Sequence, residues 1–122
     1  MKIEAADLRK VVDEMLEDYA ASVDEAVSTA VEKTATKAVR ELKNAEAGFR
    51  DREYSKGWTK KVTRHRLYSE ATVYNRTHGQ LTHLLEFGHA LRNGGRARAF
   101  PHIAPVNDEV PNLFTEEFEK LL

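Results

Sequence analysis

The feature that most limits the fold is a helical pattern that runs through residues 4–43 without a break. Leu8, Val12, Met15, Tyr19, Val23, Val27, Ala30, Ala38 and Leu42 recur at steps of three and four, apart from one eight-residue gap at Thr34. At about 3.6 residues per turn this spacing lines them along one face. The rest of the surface is Glu, Asp, Lys, Ser and Ala, and no Gly or Pro intervenes before Gly48. At ~1.5 Å per residue the helix is ~60 Å long, far longer than a chain of 122 residues is wide when folded. It must bend, break or reach beyond its own globule. Two arrangements satisfy that: an amphipathic helix on a sheet with an overhanging end, or a bundle formed between subunits.

The remaining chain predicts an α+β domain. In residues 57–67 Trp58, Lys60, Val62, Arg64 and Arg66 alternate with Thr59, Lys61, Thr63, His65 and Leu67. Both faces are mixed, as in an edge strand or one facing a polar partner. Residues 70–76 are rich in β-branched and aromatic side chains, and the short gap between the runs predicts an antiparallel hairpin. Residues 80–87 return to helical spacing, with Leu81, Leu84, Leu85 and Phe87 able to share a face and Gly88 placed to end the helix. Asn93, Gly94 and Gly95 predict a turn inside a loop or loose hairpin over 89–100. Pro101 and Pro105 predict an extended segment before a last helix, which is clear from Asn112 to Leu121. Pro111 fits the first turn of that helix, or kinks it if the helix starts near Val106. The expected organisation is therefore one domain over 1–122. Residues 1–48 form the long helix, 49–105 the hairpin, short helix and loop, and 106–122 the C-terminal helix.

Charge is unevenly spread. Residues 1–48 carry seven Lys/Arg against eleven Asp/Glu, residues 49–102 eleven against four, and residues 103–122 one against five. The balances are −4, +7 and −4, which sum to the net charge of −1. All five histidines fall in the basic block. Complementarity between the acidic helices and the basic block, within or between subunits, accounts for the near-neutral total. A dedicated nucleic-acid binder is more often basic throughout. The candidate partner or DNA contacts are Arg64 and Arg66 on one strand face, with Arg92, Arg96 and Arg98 crowding the Gly-rich loop. Guanidinium groups on such a loop suit phosphate contact. There are no cysteines, which excludes disulfides within this sequence and fits a reducing cytoplasm. No window approaches the ~20 apolar residues of a membrane helix, so no membrane partner is expected. Glu4, Asp7 and Asp13 do not fit the apolar core of a signal peptide.

Catalytic and metal constellations are weak. His83 and His89 are six residues apart, about 600° of helical rotation, so they do not converge with Glu86 on a metal. Ser69 or Thr72 beside His65 or His78 lacks a third orienting group and an oxyanion loop. Gly94-Gly95 lacks the Lys-Ser/Thr of a phosphate loop. The expectation is no catalytic residue, no metal site and no cofactor.

Residues 72–89, TVYNRTHGQLTHLLEFGH, continue through Gly94-Gly95-Arg96 to Pro101-His102-Ile103-Ala104-Pro105. Together with the Tyr54-Ser-Lys-Gly-Trp58 entry to the first strand, this stretch resembles the tail-component or neck family of long-tailed bacteriophages. The resemblance covers roughly residues 50–122, and the long helix matches only as a helix. It implies a virion structural protein that completes or caps the tail, or joins head and tail, as part of an oligomeric ring. It implies no enzymatic activity and no cofactor. On this reading Leu84, Leu85 and Phe87 pack the short helix on the sheet, Gly88 permits the turn, and Pro101 and Pro105 fix the entry to the last helix. The implied partners are other phage structural proteins (connector, tail tube or terminator) and further copies of the chain, with non-specific contact to packaged DNA through the 89–99 loop. The protein would be made in the host cytoplasm and end in the virion. Two other readings compete. A small nucleic-acid-acting protein, such as a ribosome-dependent toxin, would arrest growth on expression, and its acidic helix and tail would be unusual. A protein-binding adaptor without a phage role would be betrayed by its gene neighbourhood.

Overall fold

The computed structural model describes residues 4–45, 52–65 and 68–122. It is α+β. Helix α1 runs unbroken over Ala5–Asn44, followed by a short α2 (Arg52–Lys56), strand β1 (Trp58–His65) and strand β2 (Tyr68–Asn75). A 3-10 turn (Gly79–Leu81) leads into α3 (Thr82–Phe87), then the two-residue strands β3 (His89–Ala90) and β4 (Arg96–Ala97), and α4 (Ile103–Glu119).

The first hairpin pairs antiparallel from Trp58 with Asn75 to His65 with Tyr68. Residues opposite one another share a sheet face. Trp58, Lys60, Val62 and Arg64 therefore lie with Asn75, Val73, Ala71 and Ser69. This is the face that α1 covers. Arg64 reaches Glu32 at 3.2 Å, Lys60 donates to Thr36, and the Ser28 and Ser69 hydroxyls meet at 2.5 Å. The mixed character of β1 thus has a direct cause: its polar partner is the chain's own long helix.

Helix α1 overhangs. An eight-residue strand spans only about 26 Å at 3.3 Å per residue, less than half of a ~60 Å helix. Burial accordingly begins at Val23, and every residue from Glu4 to Ser22 is exposed. The buried residues of the C-terminal half are Ala26, Ser28, Ala30, Thr34, Ala35, Ala38 and Leu42. All but Leu42 are small, which lets β1, β2 and α4 approach the helix backbone closely. Of the expected apolar stripe, Ala30, Ala38 and Leu42 are buried, while Leu8, Val12, Met15 and Tyr19 are not.

A compact core gathers Ala38, Leu42, Tyr54, Trp58 and Val106, with Val39, Val73, Leu81, Leu85 and Ile103 packed around it. Tyr54, Trp58 and His102 meet edge to face, with ring centroids 5.6 to 6.1 Å apart. Helix α4 lies against α1, where Lys37 bridges to Glu117 at 2.5 Å. The Lys37 ammonium holds the Glu117 carboxyl below its usual range. On the same seam burial, reinforced by the neighbouring Glu109 carboxylate as acceptor for the protonated form, raises the Glu41 carboxyl.

Two expectations are corrected. The last helix starts at Ile103, so residues 103–105 are helical and Pro105 does not belong to an extended entry. Pro105 is the third helical residue, where a backbone N–H has no partner within the helix and its loss costs nothing. Pro101 does lie in non-regular chain, and Pro111 sits inside the helix. Phe87 does not pack on the sheet: it is 70% exposed. In a six-residue helix only one side faces inward, and Leu85 and Glu86 occupy it, next to Leu81 of the preceding turn. Phe87 lies about 200° of rotation from Leu85. Leu84 is half-buried, and Leu85 packs on the core.

Gly88 ends α3, at φ 74° and ψ 176°. That is a region of backbone space almost reserved for glycine, and not the left-handed helical cap. A Cβ there would also come within 2.6 Å of the Ala97 carbonyl oxygen. Gly88→Ala is therefore expected to lower stability by about 2 kcal/mol through backbone strain. Thermal unfolding of the variant checks this, and an unchanged midpoint would refute it.

Candidate functional site

The most constrained polar cluster is built where α3 meets the start of α4. Glu86, 5% exposed, turns its carboxylate onto the first turn of α4. One oxygen accepts the backbone N–H of His102 and of Ile103, each at 2.8 Å, and the other accepts that of Ala104 at 3.0 Å. A helix N-terminus leaves such donors without internal partners and carries partial positive charge. A carboxylate is thus the natural occupant. Burial opposes its ionisation, but the three N–H donors outweigh it and hold the Glu86 carboxyl below its usual range.

His102 continues the cluster into the core. Its Nε2 lies 2.7 Å from the Tyr54 hydroxyl. Burial, aided by the Glu86 charge, raises the Tyr54 hydroxyl to about 12, so it stays protonated. Nε2 accepts from that hydroxyl, because the imidazole proton belongs on Nδ1, which faces an acceptor-only carbonyl. That nitrogen lies 2.7 Å from the Phe100 carbonyl oxygen and 3.1 Å from Glu86. Carboxylate, imidazole and phenol in series resemble an acid–base relay. Tyr54 is 0% exposed and the His102 side chain likewise, so both are closed off from solvent. The series is a clasp that fastens α3, α4 and the segment before β1.

Asn75 makes a second lock at the end of β2. Its Nδ2 donates to the Tyr54 carbonyl at 2.6 Å. Its Oδ1 accepts the backbone N–H groups of Thr77 at 3.2 Å and His78 at 2.9 Å. The turn after the hairpin is thereby tied to the residues that enter it.

Between α1, β2 and α4 lies an apolar cleft of about 570 Å³, lined by Val31, Ala35, Val73, Val106, Val110 and Phe114 among others. Among the described residues no carboxylate, imidazole, ammonium or guanidinium lines it. It offers shape and greasy surface without acid–base chemistry.

The arginines do not form one cluster. Arg64 is committed to Glu32 of α1, six residues along β1 from Trp58, or about 20 Å. Arg66 lies outside the described residues. Arg92, Arg96 and Arg98 are all exposed on the β3–β4 hairpin. Arg96 donates to the Phe87 carbonyl at 3.1 Å, and Arg98 lies 5.8 Å from the Phe100 ring centroid. Residues 87–100 contain these three cations and no acid. Phe87 and Leu91, 70% and 42% exposed, stand among them.

The other pairings weighed from sequence are not assembled. Ser69 bonds Ser28, His65 stacks on Tyr68 with centroids 4.3 Å apart, and His78 bonds Thr77. Among the described residues no group of three His, Asp or Glu is disposed to hold a metal ion. Glu86, considered with His83 and His89, is instead taken up by backbone donors. Sequence reasoning missed its role because the partners lie sixteen residues downstream and no local capping pattern marks them. A hint was available in a carboxylate between Leu85 and Phe87 beside a helix-ending glycine. The chain matches no protein-family model, no curated protein and no solved structure.

Proposed function

We propose that the protein is a virion structural component of a long-tailed bacteriophage or prophage, acting in head–tail joining or tail completion within an oligomeric ring. The observation that carries this reading is the clasp. The HLLEFGH and PHIAP segments, which bear the family resemblance, are separate in sequence yet are joined through Glu86 and His102. Those residues make sense together as a scaffold that presents the β3–β4 hairpin and orients α4. An α1 that extends far beyond its own domain also suits a protein that is completed by neighbours. The reading invokes no catalysis and no cofactor. Its partners are the connector, tail tube or terminator, with packaged DNA as a non-specific contact of the arginine hairpin.

Deleting the gene from the phage or inducible prophage that carries it is expected to leave filled heads and unjoined tails, seen by electron microscopy, with infectious titre lost. Arg96→Glu with Arg98→Glu is expected to block joining while the isolated protein stays folded. Normal particles from the deletion strain would reject the structural role. Normal particles from the double variant would reject the hairpin as the joining surface.

A further inference from the structure

We infer that the overhanging half of α1 docks on the α3–β3–β4 corner of a second copy of this chain, giving a head-to-tail contact. Six large apolar side chains of the overhang are 52% to 70% exposed: Leu8, Val11, Val12, Met15, Leu16 and Tyr19. At 100° per residue they fall within an arc of about 140°, with every charged residue of the segment outside it. A contiguous stripe of this size reaches the few hundred Å² at which exposed apolar surface in a soluble chain usually marks an interaction site.

Charge names the occupant. Residues 5–22 carry Asp7, Asp13, Glu14, Glu17 and Asp18 against Arg9 and Lys10, a balance of −3. Asp7 and Asp18 border one edge of the stripe, at rotations about 20° to 40° from Val11. Packing two stripes together would bring two such arms, each of −3, side by side. The corner has the opposite character. Its surface carries +3 from Arg92, Arg96 and Arg98 with no exposed acid, since Glu86 of α3 is buried against α4, and it exposes Phe87 and Leu91. None of the three arginines has an ion-pair partner among the described residues. Stripe and corner therefore complement each other in both greasy surface and charge. They are different surfaces of one chain, so the contact is heterologous and leaves one free surface of each kind at its ends. Such contacts propagate into a ring or a filament.

The inference rests on the oligomeric part of the function proposed above and is independent of the phage setting. Solution mass of the full chain, followed across concentration, tests it without phage. Wild type is expected to associate, and raising salt to weaken the association, because opposite charges are screened. A stripe variant (Met15→Glu, Tyr19→Ser) and a corner variant (Arg96→Glu, Arg98→Glu) should each self-associate at least tenfold more weakly. Mixed together, they should form a one-to-one dimer and stop there, since only one intact surface of each kind remains. Circular dichroism should show that both variants keep their helix.

The absence of cysteine allows an independent check. Tyr19→Cys protein mixed with Leu91→Cys protein should cross-link between copies. Corner variants that associate like wild type, or cross-links between Tyr19→Cys copies alone, would overturn the proposal in favour of stripe-to-stripe pairing. A wild-type chain that stays monomeric to about 1 mM would overturn it outright.

Discussion

Glu86→Ala is expected to cost the fold about 3 kcal/mol. Hydrogen bonds to a charged group contribute about 1.5–3 kcal/mol each, and a lost N-cap costs roughly 0.5–2 kcal/mol. Three donors share this carboxylate, so the contributions are not additive, and water entering the vacated space will recover part of them. Against a total of about 5–15 kcal/mol for a domain of ordinary stability, the loss is large. Urea unfolding should show a lower midpoint with an unchanged slope. Glu86→Gln should fall between the two, because its carbonyl oxygen still serves His102 and Ile103 while its amide meets the Ala104 N–H donor to donor. A loss below about 1 kcal/mol for the alanine variant would sink the clasp as the organiser of α4.

The same carboxylate sets an acid limit. The folded state holds Glu86 below its ordinary value, so its contribution is fully present above the unfolded value of about 4.3. It is lost as pH falls from there through the folded value. Glu117, held down by Lys37, adds to the same trend. Glu41 works in reverse. Its raised folded value means that stability declines as pH rises from the unfolded value through the folded one. The difference between wild type and Glu86→Gln should therefore narrow on acidification below about pH 5.

Periodicity reveals which residues share a face, and it located α1, the hairpin and α3, while residue type located the turn at Asn93-Gly94-Gly95. It does not reveal whether a face has a partner. The same three-and-four spacing runs through both halves of α1, yet only the half over the strands is covered. The difference is visible in side-chain size. Leu8, Met15 and Tyr19 stand where nothing approaches, while Ala26, Ala30, Ala35 and Ala38 stand where strands and α4 come close. Proline rules placed the start of α4 too late, because Pro105 was read by its effect on Ala104 and not by its harmless position in a first turn. The candidate surfaces divide in the same manner. The arginine hairpin was legible from composition, whereas the commitment of Arg64 to Glu32 depended on the register that sets one strand face against α1. The clasp of Tyr54, Glu86 and His102 was not legible as a unit, since each member is remote in sequence from the other two and only the carboxylate beside Gly88 hinted at it.

Asn75→Asp is the sharper test of how the hairpin is locked, because it changes no volume. Asn75 is 6% exposed, and its two ends face opposite needs. The oxygen end serves two backbone N–H groups after β2, and the amide end donates to the Tyr54 carbonyl at 2.6 Å. Those backbone donors fix the orientation of the side chain, since reversing it would set donor against donor. Gly57 closes the remaining space: a Cβ there would collide with Thr77 Oγ1 and Asn75 Oδ1. The substitution removes the single donor and presses a carboxylate oxygen against a carbonyl oxygen, with no room to turn away. A loss of about 3 kcal/mol at neutral pH is expected, more than the loss of about 2 kcal/mol for Asn75→Ala, which deletes the bonds without burying a charge. The sign of the pH dependence follows. Protonation restores an O–H that can donate to the Tyr54 carbonyl, so folding raises the new carboxyl above its unfolded value of about 3.9. The penalty should therefore fade as pH falls through that raised value and be smallest below about 3.9, the reverse of the acid loss at Glu86. Urea titrations of both variants from neutral to acid pH measure this directly. An aspartate variant as stable at neutral pH as wild type would mean that Asn75 is not the lock, and that the turn is held by Gly57 and the strand ladder alone.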